Sequence, residues 1–230
     1  MIQDNIHKIN KAISSVCQKA HRNPSEITLV AVSKTANVSQ INGAIAAGII
    51  HIGENRVQDA KEKFLELGAK VEVTRHMLGH LQSNKAKVAV EIFDMIQSVD
   101  NIKLAQEIQK HAEKINKKIS ILVQVNIAGE EQKSGMSSGE VENFIKSVVD
   151  FKNIFIEGFM TIGPLTDDKN ITRQCFKQLR EIFDQTKKQY QSDPRLNIKY
   201  LSMGMSEDFE MAIEEGSNMI RIGRAIFHGN

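Results

Sequence analysis

The chain alternates between short apolar runs and amphipathic helical segments along almost its whole length. Ile27 to Val32 is nearly all apolar, which is typical of a parallel strand buried on both faces. The pattern predicts eight strands, at residues 27–32, 49–53, 75–78, 94–99, 119–127, 154–162, 198–203 and 218–222. Such a regular alternation restricts the chain to an α/β architecture built on a parallel sheet.

Helical periodicity lies between these strands and also before the first of them. The predicted helices cover 38–47, 56–67, 83–92, 101–116, 138–149, 171–190 and 206–215, with Asp100 and Ser206 as candidate N-caps. Eight strands, each but the last followed by a helix, predict a closed (β/α)₈ TIM barrel. An extra N-terminal helix, from Ile2 to about Ala20, is expected to fill the gap in the outer ring. An open doubly wound sheet is the alternative fold.

Composition, and the lack of a linker segment in the sequence, limit the classes of function. No linker divides the chain, so residues 1–230 are expected to form a single domain. The formal net charge of +2 is too small to favour nucleic acid as a partner. No apolar stretch reaches the ~20 residues that cross a bilayer, and the N-terminal residues do not resemble a signal peptide. Cys17 and Cys175 do not make a disulfide framework, so the expected location is the cytoplasm.

Barrel enzymes place their sites at the carboxyl ends of the strands. The first predicted strand runs into Ser33, Lys34 and Thr35. A lysine at the barrel mouth, if partly desolvated, offers a neutral amine that forms imines with aldehydes. Lys34 can equally mark the point where a buried strand meets water.

The segments after strands seven and eight are those that frequently bind phosphate in barrels. After strand seven, Gly204 allows close approach of the backbone, and Ser206 and nearby amides can receive an anion. Simple helix capping by Ser206 is the plainer interpretation, and Glu207 and Asp208 oppose a phosphate.

In strand eight, alternation puts Ile220 and Ile222 on one face and Arg221 on the other. If the isoleucines face the helices, Arg221 points into the barrel and needs an anionic or acceptor partner. Either a ligand or an internal carboxylate, such as Glu157 or Glu54, meets that need. Gly223 follows and again permits close approach.

Polar residues also follow strands two and three. Asn55 can contact a planar ligand or cap the next helix, and His80 is expected at the rim near the ligand. His76 and His80 have metal-ligand spacing, but no third ligand is evident, so no metal site is predicted.

Several longer strings carry a family resemblance. They span almost the whole chain and comprise AVSKT (31–35), GENRVQD (53–59), RHMLGHLQSNK (75–85), QSVD (97–100), VNIAGEEQKSG (126–135), GFMTIG (158–163), LSMGMSEDFEMAI (201–213) and IRIGRAIFHG (220–229). Together they resemble the YggS/PROSC family of pyridoxal phosphate homeostasis proteins. The chain departs from that family's usual pattern at Arg75, where an aromatic residue is common, and at Arg224, where a small hydroxyl residue is frequent.

The resemblance implies a barrel like the N-terminal domain of alanine racemase, with pyridoxal 5′-phosphate as cofactor. It implies a Schiff base on Lys34, a phosphate held by Ser206 and Gly223, and Arg221 at the ring nitrogen or the phosphate. Asn55 and His80 would flank the cofactor.

The resemblance favours a carrier over an enzyme. Racemases related to this barrel use a tyrosine as second base and a further domain that completes the site across a dimer. The sequence ends at Asn230, soon after strand eight, and its two tyrosines, Tyr190 and Tyr200, are not at predicted rim positions. We therefore expect a monomeric, non-enzymatic protein of vitamin B6 and amino-acid balance, with apo forms of cofactor-dependent enzymes as candidate partners. The alternatives are a racemase-like enzyme and a barrel that binds a sugar phosphate.

Overall fold

The strands form a closed parallel barrel in chain order. A computed structural model describes residues 1–68, 71–130, 132–193 and 196–229. The strands are β1 (Thr28–Val32), β2 (His51–Glu54), β3 (Thr74–Met77), β4 (Met95–Val99), β5 (Ile119–Gln124), β6 (Ile154–Met160), β7 (Leu196–Ser202) and β8 (Met219–Ile222). Strand β8 pairs with β1, which closes the barrel and rules out the open doubly wound sheet.

Helices surround the barrel. They are α1 (Ile2–Lys19), α2 (Val38–Ala46), α3 (Val57–Leu67), α4 (Ala86–Ile92), α5 (Ile102–Lys114), α6 (Val141–Val148), α7 (Lys169–Gln189), α8 (Phe209–Glu214) and α9 (Arg224–Phe227). Short 3₁₀ helices cover Pro24–Glu26, Ser83–Lys85 and Ser138–Glu140. The predicted fold, a TIM barrel with an extra N-terminal helix, is confirmed.

Helix α1 completes the outer ring, as predicted. Its buried stripe of isoleucine, valine and cysteine packs against α2, α8 and α9. Two polar contacts hold the same seam: the Asn5 amide donates to the carbonyl of Ile226, and Arg22 donates to the carbonyl of Ile213 at the end of α8. The seam between the last strand and the first helix is therefore closed by both apolar packing and hydrogen bonds.

The structure corrects several predicted boundaries. Strand β8 is followed by a helix, the single-turn α9, which was not predicted. Asn101, and not Asp100, caps α5 by accepting from the amide of Leu104. Ser206 does not cap α8, because this helix begins at Phe209 after a turn. Strand β5 ends at Gln124 because Asn126 turns away to bond with Met136 and the following loop.

Alternation along the strands separates two cores. Residues such as Ile52, Ile121 and Ile220 face outward and join the large apolar layer between strands and helices. A smaller apolar cluster lies apart from that layer and contains Val30, Leu78, Met95, Leu122, Met160 and Met219. Cys17 and Cys175 are both buried and unpaired. In the described ranges, no helix is long and apolar enough to span a bilayer.

Candidate functional site

Strand β1 delivers Lys34 to the carboxyl end of the barrel, beside β2 and β8. The amide of Ser33 donates to the carbonyl of Gly53, and the Thr35 hydroxyl lies 2.9 Å from Nε2 of His228, beyond α9. Lys34 is exposed, so the partial desolvation expected from the sequence is not observed. Within the described residues, its Nζ atom makes no hydrogen bond or ion pair. The amine is therefore not engaged by the protein.

A buried ion pair lies behind Lys34. Glu54 is 1% exposed, and its Oε1 accepts from Nζ of Lys63 at 2.8 Å and from the Ser33 hydroxyl at 2.6 Å. Lys63 also donates to the carbonyl of Ser33 at 2.7 Å. These contacts fix the peptide that precedes Lys34. Lys63 is thus a neutralised cation with a structural task.

The segment after β7 approaches its surroundings closely. Gly204 has φ +96°, and a Cβ at this position would lie 2.6 Å from Cβ of Ala212 and 2.9 Å from Cα of Phe209. Only glycine fits this combination of left-handed backbone and close contact. In the part of the chain that the structure describes, no acceptor bonds the amides of Ser206 and Glu207. The turn therefore presents free N–H donors near a half-buried hydroxyl.

Arg221 points into the barrel, as the alternation of β8 predicts. It is 5% exposed, and its Nη1 donates to the Ser202 hydroxyl at 2.7 Å while Nη2 donates to the carbonyl of Thr161 at 2.7 Å. Neither Glu54 nor Glu157 is its partner, so that alternative is wrong: Glu54 binds Lys63 and Glu157 binds Lys199. Neutral oxygens thus hold this guanidinium.

Charge near Arg221 is only partly compensated. Burial lowers the pKa of the Arg221 guanidinium to about 10, and the Asp208 carboxylate opposes that shift. Burial likewise raises the pKa of the Asp208 carboxyl above its ordinary value, against the Met205 amide, which donates at 2.6 Å, and Arg221. Arg221 remains positively charged at neutral pH.

Polar side chains continue from Arg221 across the barrel interior. The Ser202 hydroxyl donates to Oε1 of Gln97 at 2.7 Å, and Nε2 of Gln97 lies 3.0 Å from Nδ1 of His76. Nε2 of His76 in turn lies 3.0 Å from Nδ1 of His51. Ser202, Gln97 and His76 are fully buried. We call this row, from Arg221 to His51, the interior chain.

The remaining predicted residues lie around the same rim. Asn55 is half-buried, and a Cβ at Gly79 would lie 2.2 Å from its carbonyl oxygen, so the segments after β2 and β3 touch. His80 is exposed, with Nδ1 3.6 Å from Oδ2 of Asp100. Gly223 packs against the end of β1, since its Cβ would lie 3.1 Å from the carbonyl oxygen of Val32.

The two departures from the family pattern are accommodated without strain. The Arg75 guanidinium lies 4.9 Å from the ring centroid of Phe64, so it covers an aromatic face. Arg224 is exposed and lies 3.4 Å from Glu207 across the gap between the segments after β7 and β8. Arg224 therefore adds a cation beside the free amides of Ser206 and Glu207.

The structure brings Lys34, Asn55, His80, Ser206, Arg221 and Gly223 to one end of the barrel, at the ends of β1, β2, β3, β7 and β8. Sequence reasoning missed Gln97, Ser202 and Asp208. The first two occupy inward positions of buried strands, and a polar residue at such a position is the signal that could have found them. Across the described ranges, no group of three or more His, Cys, Asp or Glu side chains is arranged to hold a metal ion.

Comparison with known proteins defines the class first. Residues 5–230 match the family model of the alanine racemase N-terminal domain. Alanine racemase from Clostridium difficile shares the fold at 15% identity, with a TM-score of 0.70 over 97% of this chain and 56% of that protein. The barrel therefore belongs to the class of alanine racemase N-terminal domains.

Closer relatives narrow the class to one family. The pyridoxal phosphate homeostasis protein of Pasteurella multocida is 37% identical over 98% of this chain and 96% of that protein. Its Escherichia coli K12 counterpart is 35% identical over 98% and 95%. PipY of Synechococcus elongatus, solved with PLP bound, is 33% identical with a TM-score of 0.86 over 99% of this chain and 100% of that one. The chain belongs to the family of pyridoxal phosphate homeostasis proteins.

Proposed function

We propose that this chain binds pyridoxal 5′-phosphate as a Schiff base on Lys34 and acts in pyridoxal phosphate homeostasis as a carrier without catalytic turnover. The observation that carries the proposal is the sharing of one barrel end by an unengaged amine, free loop amides and a charged guanidinium. A small phosphorylated aldehyde matches all three. When bound, the cofactor would supply the aldehyde and an electron-withdrawing ring.

The amine and the aldehyde define the covalent step. Lys34 would hold the aldehyde carbon through a C=N bond to its Nζ, and the carbonyl oxygen would leave as water with the two hydrogens of the neutral amine, so no further reactant would be needed. Lys63 is a poor competitor because Glu54 and the Ser33 carbonyl hold it as a partly buried cation. Lys34, exposed and unengaged, is the accessible amine of this strand end.

The anion-binding features support the phosphate end of the proposal. Amides of Ser206 and Glu207, the Ser206 hydroxyl and the backbone at Gly223 are the donors that would receive it. Gly204 lets the turn that carries these amides lie close against α8, because any side chain there would strike Ala212 and Phe209. Asn55 and His80 would flank the ring from the ends of β2 and β3.

Arg221 bears on the choice between carrier and enzyme. Two of its five N–H donors are used, by the Ser202 hydroxyl and the Thr161 carbonyl, and among the described residues no acceptor bonds the other three, which are left for a ligand. A guanidinium that donates to the ring nitrogen keeps that nitrogen unprotonated and weakens the ring as an electron sink. This favours retention of the cofactor over carbanion chemistry.

The tyrosines give the second argument for a carrier. Tyr190 follows α7 on the segment that leads to the amino end of β7, opposite the carboxyl ends of the strands, and its buried hydroxyl has no partner among the described residues. Tyr200 lies within β7, two residues before Ser202, and Lys199 covers its ring at 4.7 Å. Neither occupies the rim position that a second base requires. The alternative, a racemase-like enzyme, rests on the shared barrel alone.

The carrier proposal extends to setting and partners. The proposed protein is a monomer in the cytoplasm. Apo forms of cofactor-dependent enzymes would receive the aldehyde from it, and through them it would influence amino-acid balance. Light scattering of the purified chain at micromolar concentration tests the monomer: a single species near 25.8 kDa is expected, and a stable dimer contradicts it.

The decisive experiment is incubation with pyridoxal 5′-phosphate, borohydride reduction and peptide mapping. We expect one pyridoxyl group, on Lys34, which Lys34→Ala abolishes and the control Lys85→Ala leaves in place. An adduct at another lysine overturns the assignment. Exchange of the α-deuteron of added amino acids, lost in Lys34→Ala, would instead favour the racemase-like enzyme.

A further inference from the structure

The hydrogen bonds of the interior chain all run in one direction. Arg221 can only donate, so the Ser202 oxygen must accept from it and the Ser202 hydrogen goes to Gln97. The amide nitrogen of Gln97 can also only donate, so Nδ1 of His76 is the acceptor. His76 therefore carries its hydrogen on Nε2 and donates to His51. Each acceptor in the row faces back toward Arg221.

This direction has an electrostatic consequence. Every dipole in the interior chain presents its negative end to the guanidinium, which solvates a charge that burial has removed from water. A carboxylate in the same place would bind Arg221 more strongly but would cancel its charge. Neutral acceptors orient the cation and leave its charge available to a ligand at the mouth.

We propose that Ser202 and Gln97 are positioning residues, which hold the Arg221 guanidinium in the orientation that binds the ligand without neutralising it. The inference rests on the proposed function, because it names the groups that prepare Arg221 for the cofactor. Ser202 accepts a hydrogen bond from Nη1 of Arg221. Gln97 accepts the hydrogen of the Ser202 hydroxyl, so the oxygen of this hydroxyl is oriented to accept from Arg221. Neither residue needs to touch the cofactor itself.

A matched pair of serines provides the test. Ser202, on β7, and Ser98, on β4, are both fully buried, but the Ser98 hydroxyl has no partner among the described residues. Ser202→Ala should raise the dissociation constant for pyridoxal 5′-phosphate roughly tenfold, the lower end for a hydrogen bond to a charged group. Ser98→Ala should change it less than about twofold, and the absorbance spectrum of the bound cofactor should move only in Ser202→Ala.

A double-mutant cycle separates positioning from general packing. In the Arg221→Gln background, Ser202→Ala should change the dissociation constant less than about twofold, because the group it positions is gone. Gln97→Met provides a second route and should weaken retention in the wild-type background only.

The outcomes distinguish this inference from the proposed function. A wild-type chain without any adduct on Lys34 overturns both. Retention that is lost in Arg221→Gln but kept in Ser202→Ala and Gln97→Met overturns the positioning role alone. An equal effect of Ser202→Ala in both backgrounds also overturns it, because the serine would then act without the arginine.

Discussion

A partly buried cation, Lys63, and a buried one, Arg221, are held in opposite ways in this barrel. At the end of β1 and β2, Lys63 meets the Glu54 carboxylate, and its charge is cancelled in place. Between β6, β7 and β8, Arg221 meets a hydroxyl and a carbonyl, with Asp208 only as a distant partner. The first arrangement fixes the backbone before Lys34, whereas the second maintains a charge. In the proposed function, the first cation serves the fold and the second serves a ligand.

The largest effect is expected where the neutralised pair is broken. Lys63→Met leaves the Glu54 carboxylate, 1% exposed, without its counter-ion. The free energy of unfolding should fall by about 3–5 kcal/mol, measured by urea denaturation, because an uncompensated charge stays buried. The exposed neighbour Lys61→Met is the control, and adding Glu54→Gln to Lys63→Met should recover much of the loss. A loss below about 1 kcal/mol would show that the pair is not structural.

The opposite pattern is expected at Arg221. Arg221→Gln should weaken retention of pyridoxal 5′-phosphate by roughly 10–100-fold, the value of one hydrogen bond from a charged donor. Stability should change little, since the substitution also removes a desolvated charge. Equilibrium dialysis and urea denaturation of the same samples provide both readings. Unchanged retention would reduce Arg221 to a structural residue and end the contrast with Lys63.

The smallest expected effect is the pH dependence of stability that arises from His76, a neutral group of the interior chain. Burial, with His51 nearby, lowers the pKa of His76 to about 3. Below about pH 6.5, His76 is protonated in the unfolded chain but stays neutral in the folded chain. The free energy of unfolding therefore decreases as the pH falls from about 6.5 toward 3. Between pH 7 and 5.5 the loss should be about 1 kcal/mol. The raised pKa of Asp208 acts with the opposite sign.

His76→Gln is the variant that isolates this effect. Its amide can accept from Gln97 and donate to His51 without titrating, so the slope of stability against pH between 7 and 5.5 should flatten. Urea denaturation at both pH values measures it. A slope identical to that of the wild-type chain would assign the acid sensitivity to another group.

Much of the fold could be predicted because the spacing of apolar residues in the sequence shows which faces of the strands and helices are buried. Ile220 and Ile222 had to face the helices, so Arg221 had to face inward, and the structure places it there. Eight apolar runs with helices between them leave few topologies other than a barrel. The place of α1 could also be predicted, because eight strands with only seven helices after them leave a gap in the outer ring.

The partners inside the barrel could not be predicted, because they depend on register between strands that are distant in sequence. Ser202 is 105 residues from Gln97, and only the stagger of the closed barrel brings their side chains to 2.7 Å. Glu54 was a candidate partner of Arg221, yet it faces outward to Lys63 on α3. The turn before α8 was also misread, because Asp208 bonds the Met205 amide and delays the helix to Phe209.

The pairing of β1 with β8 also sets the order in which the molecule becomes competent during synthesis. Lys34 leaves the ribosome well before Arg221 and Gly223, and the apolar stripe of α1 is not covered until α8 and α9 have followed. A nascent chain would therefore carry the proposed Schiff-base lysine long before the backbone proposed to bind the phosphate. In the proposed function, capture of a reactive aldehyde would be postponed until β8 has been made and has paired with β1.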